Sequence, residues 1–109
     1  MDEKIQAENL PHVLTRQAVV ECVNKHLAAI HQFDVRSLAL FGSVARNEAS
    51  SSSDLDFLVT FNGSATFDGY MNLKFFLEDL FGRSVDLVIE RDLKTRIRQT
   101  VLDEAIYVA

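Results

Sequence analysis

At 109 residues, with 48% hydrophobic and 25% charged side chains, the chain has the length and mix of one small globular domain, which excludes a disordered tail or separate catalytic and substrate domains. The net charge of −5, from 16 acidic and 11 basic residues, excludes a general coating of phosphate backbones, so no direct nucleic-acid binding is expected. The lone Cys22 excludes an internal disulfide framework; the start Met1-Asp2-Glu3-Lys4 lacks signal-peptide features and no apolar run exceeds Ala105 to Ala109, so a cytoplasmic protein without a membrane span is expected.

A polar lead-in ends at Pro11. From Thr15 the spacing of Val20, Val23, Leu27 and Ile30 predicts a helix over about 15–31, with Cys22 turned to the core. Val35 to Phe41 reads as a strand, apolar enough on both sides to be central. A short helix fits 43–48, and Ser50 to Ser53 form a polar loop. Asp54 to Phe61 alternates: Leu55, Phe57, Val59 and Phe61 face one side, and Asp54, Asp56, Leu58 and Thr60 the other.

After Asn62-Gly63, the stripe Tyr70, Leu73, Leu77, Leu80 and Phe81 marks a helix at about 67–81, with Gly82 at its C-cap. Phe67, Tyr70, Leu73 and Leu77 are core by default, and Phe75 and Phe76 cannot both turn inward with them, so one is expected at the surface as an interface mark. Val85 to Ile89 is a third strand, and Leu93, Ile97 and Val101 mark a last helix. Arg91, Lys94, Arg96 and Arg98 against Asp92 form a basic stretch, read as a solvated face, with a docking edge for an acidic partner or a nucleotide tail as the alternative. His12, His26 and His31 share no metal-binding spacing with the carboxylates. The order is α-β-α-β-α-β-α, an α/β fold of the α+β type: one domain over 1–109, with its core over about 35–108.

The chemistry concentrates in Gly42-Ser43 after strand one, Asp54-Leu55-Asp56 opening strand two, and Asp86 in strand three. Period two puts Asp54 and Asp56 on one face, with Cα atoms about 6.6 Å apart. Two carboxylates converging at about 4 Å in a partly buried site repel by roughly 4 kcal/mol at an effective dielectric of 20. Protonating one, separating them into water, or binding a cation relieves that repulsion, and an all-oxygen set suits a hard ion such as Mg²⁺. Gly42-Ser43 ends strand one while the Asp pair begins strand two. They meet only if these strands are antiparallel, so a mixed sheet of about three core strands is expected, which Asp86 joins if strand three lies beside strand two. Gly42 lets a ligand approach the backbone, and Ser43 adds a hydroxyl at the start of the short helix, together a phosphate cradle. Carboxylates for metal beside such a cradle describe a phosphoryl- or nucleotidyl-transfer site.

The run Phe41-Gly42-Ser43-Val44-Ala45-Arg46-Asn47-Glu48-Ala49, the serines, then Asp54-Leu55-Asp56-Phe57-Leu58-Val59 resembles the minimal nucleotidyltransferases of the DNA polymerase beta-like superfamily. Ser53 stands at the family's serine before the first aspartate, Val85-Asp86-Leu87-Val88 resembles the segment carrying its third carboxylate, and Glu104-Ala105-Ile106-Tyr107 looks like its usual ending. Asn47 departs from the family's glycine, and asparagine tolerates the left-handed backbone that a glycine there would serve. Arg46 is open between a phosphate contact and a pairing with Glu48 or a nearby acid.

The resemblance implies an antitoxin that uses ATP and two Mg²⁺ ions to move AMP onto a tyrosine of a HEPN-family ribonuclease toxin, as a hetero-oligomer with it. Asp54, Asp56 and Asp86 would be the catalytic, metal-holding residues, and Gly42, Ser43, Arg46 and Ser53 would contact the nucleotide. The alternatives are an antitoxin that neutralises by binding alone and an aminoglycoside-type enzyme acting on a small molecule.

Overall fold

The computed structural model describes residues 13–109. The lead-in to Pro11 and His12 lie outside the described residues. The elements are α1 (Arg16–Lys25), α2 (Leu27–His31), β1 (Val35–Phe41), α3 (Gly42–Ala45), β2 (Leu55–Phe61), α4 (Phe67–Phe81), β3 (Val85–Ile89), a 3₁₀ turn (Glu90–Asp92), α5 (Thr95–Glu104) and β4 (Ile106–Tyr107).

The sheet order is β3-β2-β1-β4. β1 runs antiparallel to β2 and to β4, whereas β3 is parallel to β2. The mixed sheet and the central place of β1 are as the sequence predicts, with a fourth strand added at the edge. Ile106 and Tyr107 pair with Leu40 and Ala39; two residues are too few to show an alternating pattern, which is why periodicity passes over them.

The sheet separates two unequal layers. On one face, Leu38, Leu40, Leu55, Phe57, Val59, Val85 and Leu87 pack against Val19, Cys22 and Val23 of α1, Ile30 of α2, and Leu73, Leu77, Leu80 and Phe81 of α4. A register shift between Val35 and Ser37 lets Val35 join this core, out of phase with Leu38 and Leu40. Each such side chain contributes about 1.5–3 kcal/mol when fully buried. On the other face, among the described residues, a small cluster of Ala39, Leu58, Leu93 and Val101 is buried, with Phe41, Val88, Leu102 and Ala105 around it.

α4 is bounded as its sequence predicts. The Thr66 hydroxyl accepts the Gly69 N–H at its start, and Gly82, at φ 67°, closes its end in the left-handed conformation. The predicted first helix is broken at His26. A continuous helix would use the His26 N–H on the Cys22 carbonyl, but the His26 imidazole Nδ1 lies 2.9 Å from that oxygen and the N–H donates to Val23 instead. The helix expected at 43–48 is a single turn, because Asn47 at φ 57° leaves the helical region. The last helix starts at Thr95 after an extended Leu93, so the Leu93–Ile97 spacing is not helical and Ile97 is exposed. Phe76 packs on Phe33 and Phe75 points to solvent; Phe67, expected in the core, is exposed, because it opens α4 directly after its Thr66 cap.

Candidate active site

The carboxylates gather at one end of the thinly covered face. Asp54 precedes β2 and is exposed, while Asp56, the second residue of β2, is half-buried. Asp56 stands opposite Phe41 of β1 on one side and Asp86 of β3 on the other. Antiparallel pairing thus brings the end of β1 to the start of β2, and parallel pairing puts Asp86 on the neighbouring strand at the same level as Asp56. Asp86 is exposed. Gly42 follows Phe41 with φ 78°, and a Cβ at this position would collide with the Asp56 side chain.

Burial, then the charges of Asp86 and Asp54, push the Asp56 carboxyl up from 3.8 to about 6, with Arg46 opposing and Glu104 adding to the rise. Among the described residues, no three carboxylate, imidazole or thiol groups are clustered closely enough to hold one metal ion by themselves. The donor chemistry nevertheless fits Mg²⁺, an ion that takes one or two carboxylates and completes its shell with water and phosphate oxygens. A half-buried carboxylate made hard to ionise by two like neighbours is a place where an added cation relieves repulsion.

The remaining predicted residues divide into those beside the carboxylates and those turned elsewhere. Ser43, half-buried, opens the α3 turn, and its carbonyl accepts the Glu48 N–H at 2.8 Å. The one-turn helix adds little dipole of its own. The Ser53 hydroxyl is turned back into the serine loop, where it accepts the Ser50 N–H at 2.8 Å. Arg46 pairs with both acids within its reach: Nε lies 2.9 Å from Glu48 Oε1, and Nη1 lies 3.0 Å from Glu104 Oε2. Those two bonds, Glu48 first, raise its pKa. Asn47 takes the left-handed backbone expected of it and also accepts the Arg16 N–H on Oδ1 at 2.9 Å, tying α1 to the turn.

Glu104 is the residue at this site that the sequence did not single out. Its Oε1 accepts the Gly42 N–H at 3.0 Å, across 62 residues of sequence. The sequence marks Glu104 only through the resemblance of Glu104-Ala105-Ile106-Tyr107 to the family's ending; its place at the site follows from the β4 pairing. Arg83, which donates from Nη1 to the Ser53 carbonyl at 3.3 Å, links the loops that lead into β2 and β3.

Three surface hollows are lined by residues about Phe75 and Arg83, about Val13 and Asn47, and about Phe67 and Val88. None is lined by Asp54, Asp56 or Asp86. Asp54 and Asp86 are exposed to solvent beside half-buried Asp56. The basic stretch is solvated at Arg91, Lys94 and Arg96, while Arg98 donates to the Glu90 carbonyl at 3.1 Å. No helix among the described residues is long and apolar enough to cross a membrane.

Residues 23–108 match the family described as nucleotidyltransferase domain. The protein adenylyltransferase MntA of Thermococcus cleftensis is 37% identical over 97 residues, 88% of this chain and 98% of its own length. A solved structure described as a minimal nucleotidyltransferase superposes with a TM-score of 0.74 at 39% identity, covering 85% of this chain and 95% of that one. A chain of the complex between tri-AMPylated Shewanella oneidensis HEPN toxin and its MNT antitoxin superposes with a TM-score of 0.61 over 82% of this chain and 70% of that one. At 21% identity this last likeness concerns the fold alone.

Proposed function

The chain belongs to the nucleotidyltransferase family, and from that premise we propose that it is an ATP-dependent protein adenylyltransferase: an antitoxin that moves AMP onto a hydroxyl, a tyrosine of a HEPN-type ribonuclease toxin, and so neutralises it. The observation that carries the reading is the Asp56–Asp86 register pair on adjacent strands, with the Gly42 turn packed against Asp56. The names of the Thermococcus cleftensis relative and of the Shewanella oneidensis complex support the adenylyl group and the HEPN partner. In this reading the whole chain acts as one nucleotidyltransferase domain.

In the reaction, the acceptor hydroxyl oxygen forms a bond to the α-phosphorus of ATP. The bond from that phosphorus to the bridging oxygen of the β-phosphate breaks, and pyrophosphate leaves. The turn at Gly42-Ser43 holds the leaving phosphates, and Arg46 lies alongside as a cationic neighbour. In this reading Asp86, exposed on the strand beside Asp56, orients the incoming hydroxyl and takes its proton, whereas half-buried Asp56 cannot be reached as easily by a large acceptor. Asp54, Asp56 and Asp86, one or two of them to an ion, would hold Mg²⁺, which would supply neutralisation of the charge developing on the phosphates. Most of the catalysis is then positioning and electrostatics. The exposure of Asp54 and Asp86 suits an acceptor presented on the surface of a partner.

The test is α-labelled ATP and Mg²⁺ with this protein and a cognate HEPN protein. Label on the partner, lost in Asp54→Asn and Asp56→Asn, is the expected result. An unlabelled partner in a tight complex whose ribonuclease is silent would replace transfer with neutralisation by binding alone.

A further inference from the structure

We infer that Glu104 is a positioning residue: its carboxylate, on the last turn of α5, holds the Gly42 N–H and the Arg46 guanidinium in the arrangement that nucleotide binding uses. This rests on the nucleotidyl-transfer reading for what the cradle binds.

One carboxylate joins two groups of the cradle. Oε1 accepts the Gly42 N–H at 3.0 Å, and Oε2 and Oε1 lie 3.0 and 3.3 Å from Arg46 Nη1. The α3 turn has no side-chain cap of its own at Phe41. Glu104 supplies that acceptor from the other end of the chain. Strand pairing puts it there: Tyr107 faces Ala39 and Ile106 faces Leu40, and the same antiparallel register continued two residues onward places Glu104 opposite Gly42. The pairing fixes the Glu104 backbone to the strand whose end it caps.

The acid is costly where it stands, because its charge adds to the repulsion on Asp56. A glutamine would make the same bond to Gly42 without that repulsion. What the charge adds is its grip on Arg46. The other partner of Arg46, Glu48, is a solvated neighbour two residues away, with a side chain 64% exposed, and such pairs hold direction weakly. The Glu104 side chain is 22% exposed, so its contact is the one that sets where the guanidinium points.

The experiment measures the affinity of a non-hydrolysable ATP analogue with Mg²⁺ by calorimetry, and KM and kcat for AMP transfer, in wild type, Glu104→Ala, Glu104→Gln, Arg46→Ala and the Glu104→Ala/Arg46→Ala pair. Glu104→Ala is expected to weaken the analogue about 10- to 100-fold, the range for losing a charged hydrogen-bond partner or an outer-shell support. KM should rise more than kcat falls, and Glu104→Gln should recover part of the loss through the Gly42 bond. On the Arg46→Ala background the same change should cost distinctly less, because the two act as a unit. Unchanged affinity in Glu104→Ala, tighter binding, or full additivity with Arg46→Ala would each overturn the inference. Should Glu104→Ala fail to fold, Glu104→Gln decides alone, and wild-type affinity in it overturns the proposal. A wild type that binds the analogue but transfers nothing would overturn the transfer reading and leave Glu104 tested by affinity; a wild type that binds no analogue would overturn both.

Discussion

The backbone of Gly42 rests on the carboxylate of Asp56: a Cβ at residue 42 would stand 2.9 Å from Asp56 Cγ and closer still to Oδ2, at a φ of 78° that side chains resist. Close packing and backbone conformation therefore both select glycine at this position.

Gly42→Ala is expected to displace the Asp56 carboxylate and lower AMP transfer about 100-fold, the cost of moving a catalytic group by roughly an ångström. The left-handed backbone adds about 1–2 kcal/mol of destabilisation. Transfer rates and thermal melting of the variant check both, and a variant with wild-type transfer would show that Asp56 can shift without consequence.

The raised pKa of Asp56 makes stability depend on pH when divalent cations are chelated. The folded state holds this proton more tightly than the unfolded chain, with a pKa of about 6 against 3.8. Its stabilising contribution is complete below the unfolded value and is lost as pH rises through about 6. Because the side chain is only half-buried, solvent screening limits the effect to about 1 kcal/mol. Melting curves from pH 4 to 8 in chelator should fall through this window in wild type, and Asp56→Asn should flatten the fall and melt higher at pH 8.

Asn47 combines a left-handed φ of 57° with a side-chain bond to the Arg16 N–H. Asn47→Ala loses both advantages and should cost about 2 kcal/mol, whereas Asn47→Gly exchanges the bond for backbone freedom and should stay within about 1 kcal/mol of wild type. Urea unfolding of the two variants separates these outcomes; equal losses would mean that the Arg16 tie alone matters.

The Tyr70 hydroxyl donates to the Leu87 carbonyl on β3, the outer strand of the sheet. Tyr70→Phe removes a partner from that carbonyl and should lower stability by about 1 kcal/mol, leaving AMP transfer unchanged at 25 °C. Denaturant midpoints read the first effect and transfer rates the second.

Much of this architecture was legible in the chain because the signals were local. The α4 stripe and its Gly82 cap, the alternation from Leu55 to Phe61, and the Val85–Ile89 run each state their own conformation, and the order of Gly42-Ser43 and Asp54-Leu55-Asp56 forces β1 and β2 antiparallel. What escaped depended on competition or distance. The His26 imidazole outcompetes its own N–H for the Cys22 carbonyl, and Leu93 supplies burial from an extended segment that mimics a helical phase. Arg46 stood balanced between phosphate and acid in the sequence; in the folded chain it holds Glu48 and Glu104, the latter brought 58 residues by the β4 pairing. The Ser53 hydroxyl, given a binding role by resemblance, accepts the Ser50 N–H in the folded chain, a loop contact that no spacing announces.

The sheet keeps cohesion on one side and charge on the other: three helices seal one face, and Asp54, Asp56 and Asp86 open onto the other. Changes among the aspartates therefore leave the packed layer untouched. A single base change turns an aspartate codon into an asparagine codon, so a lineage carrying this fold can lose its chemistry in one step and retain a folded protein that still presents the same surface. Chemistry and fold are separately heritable here, and selection can discard the first while preserving the second.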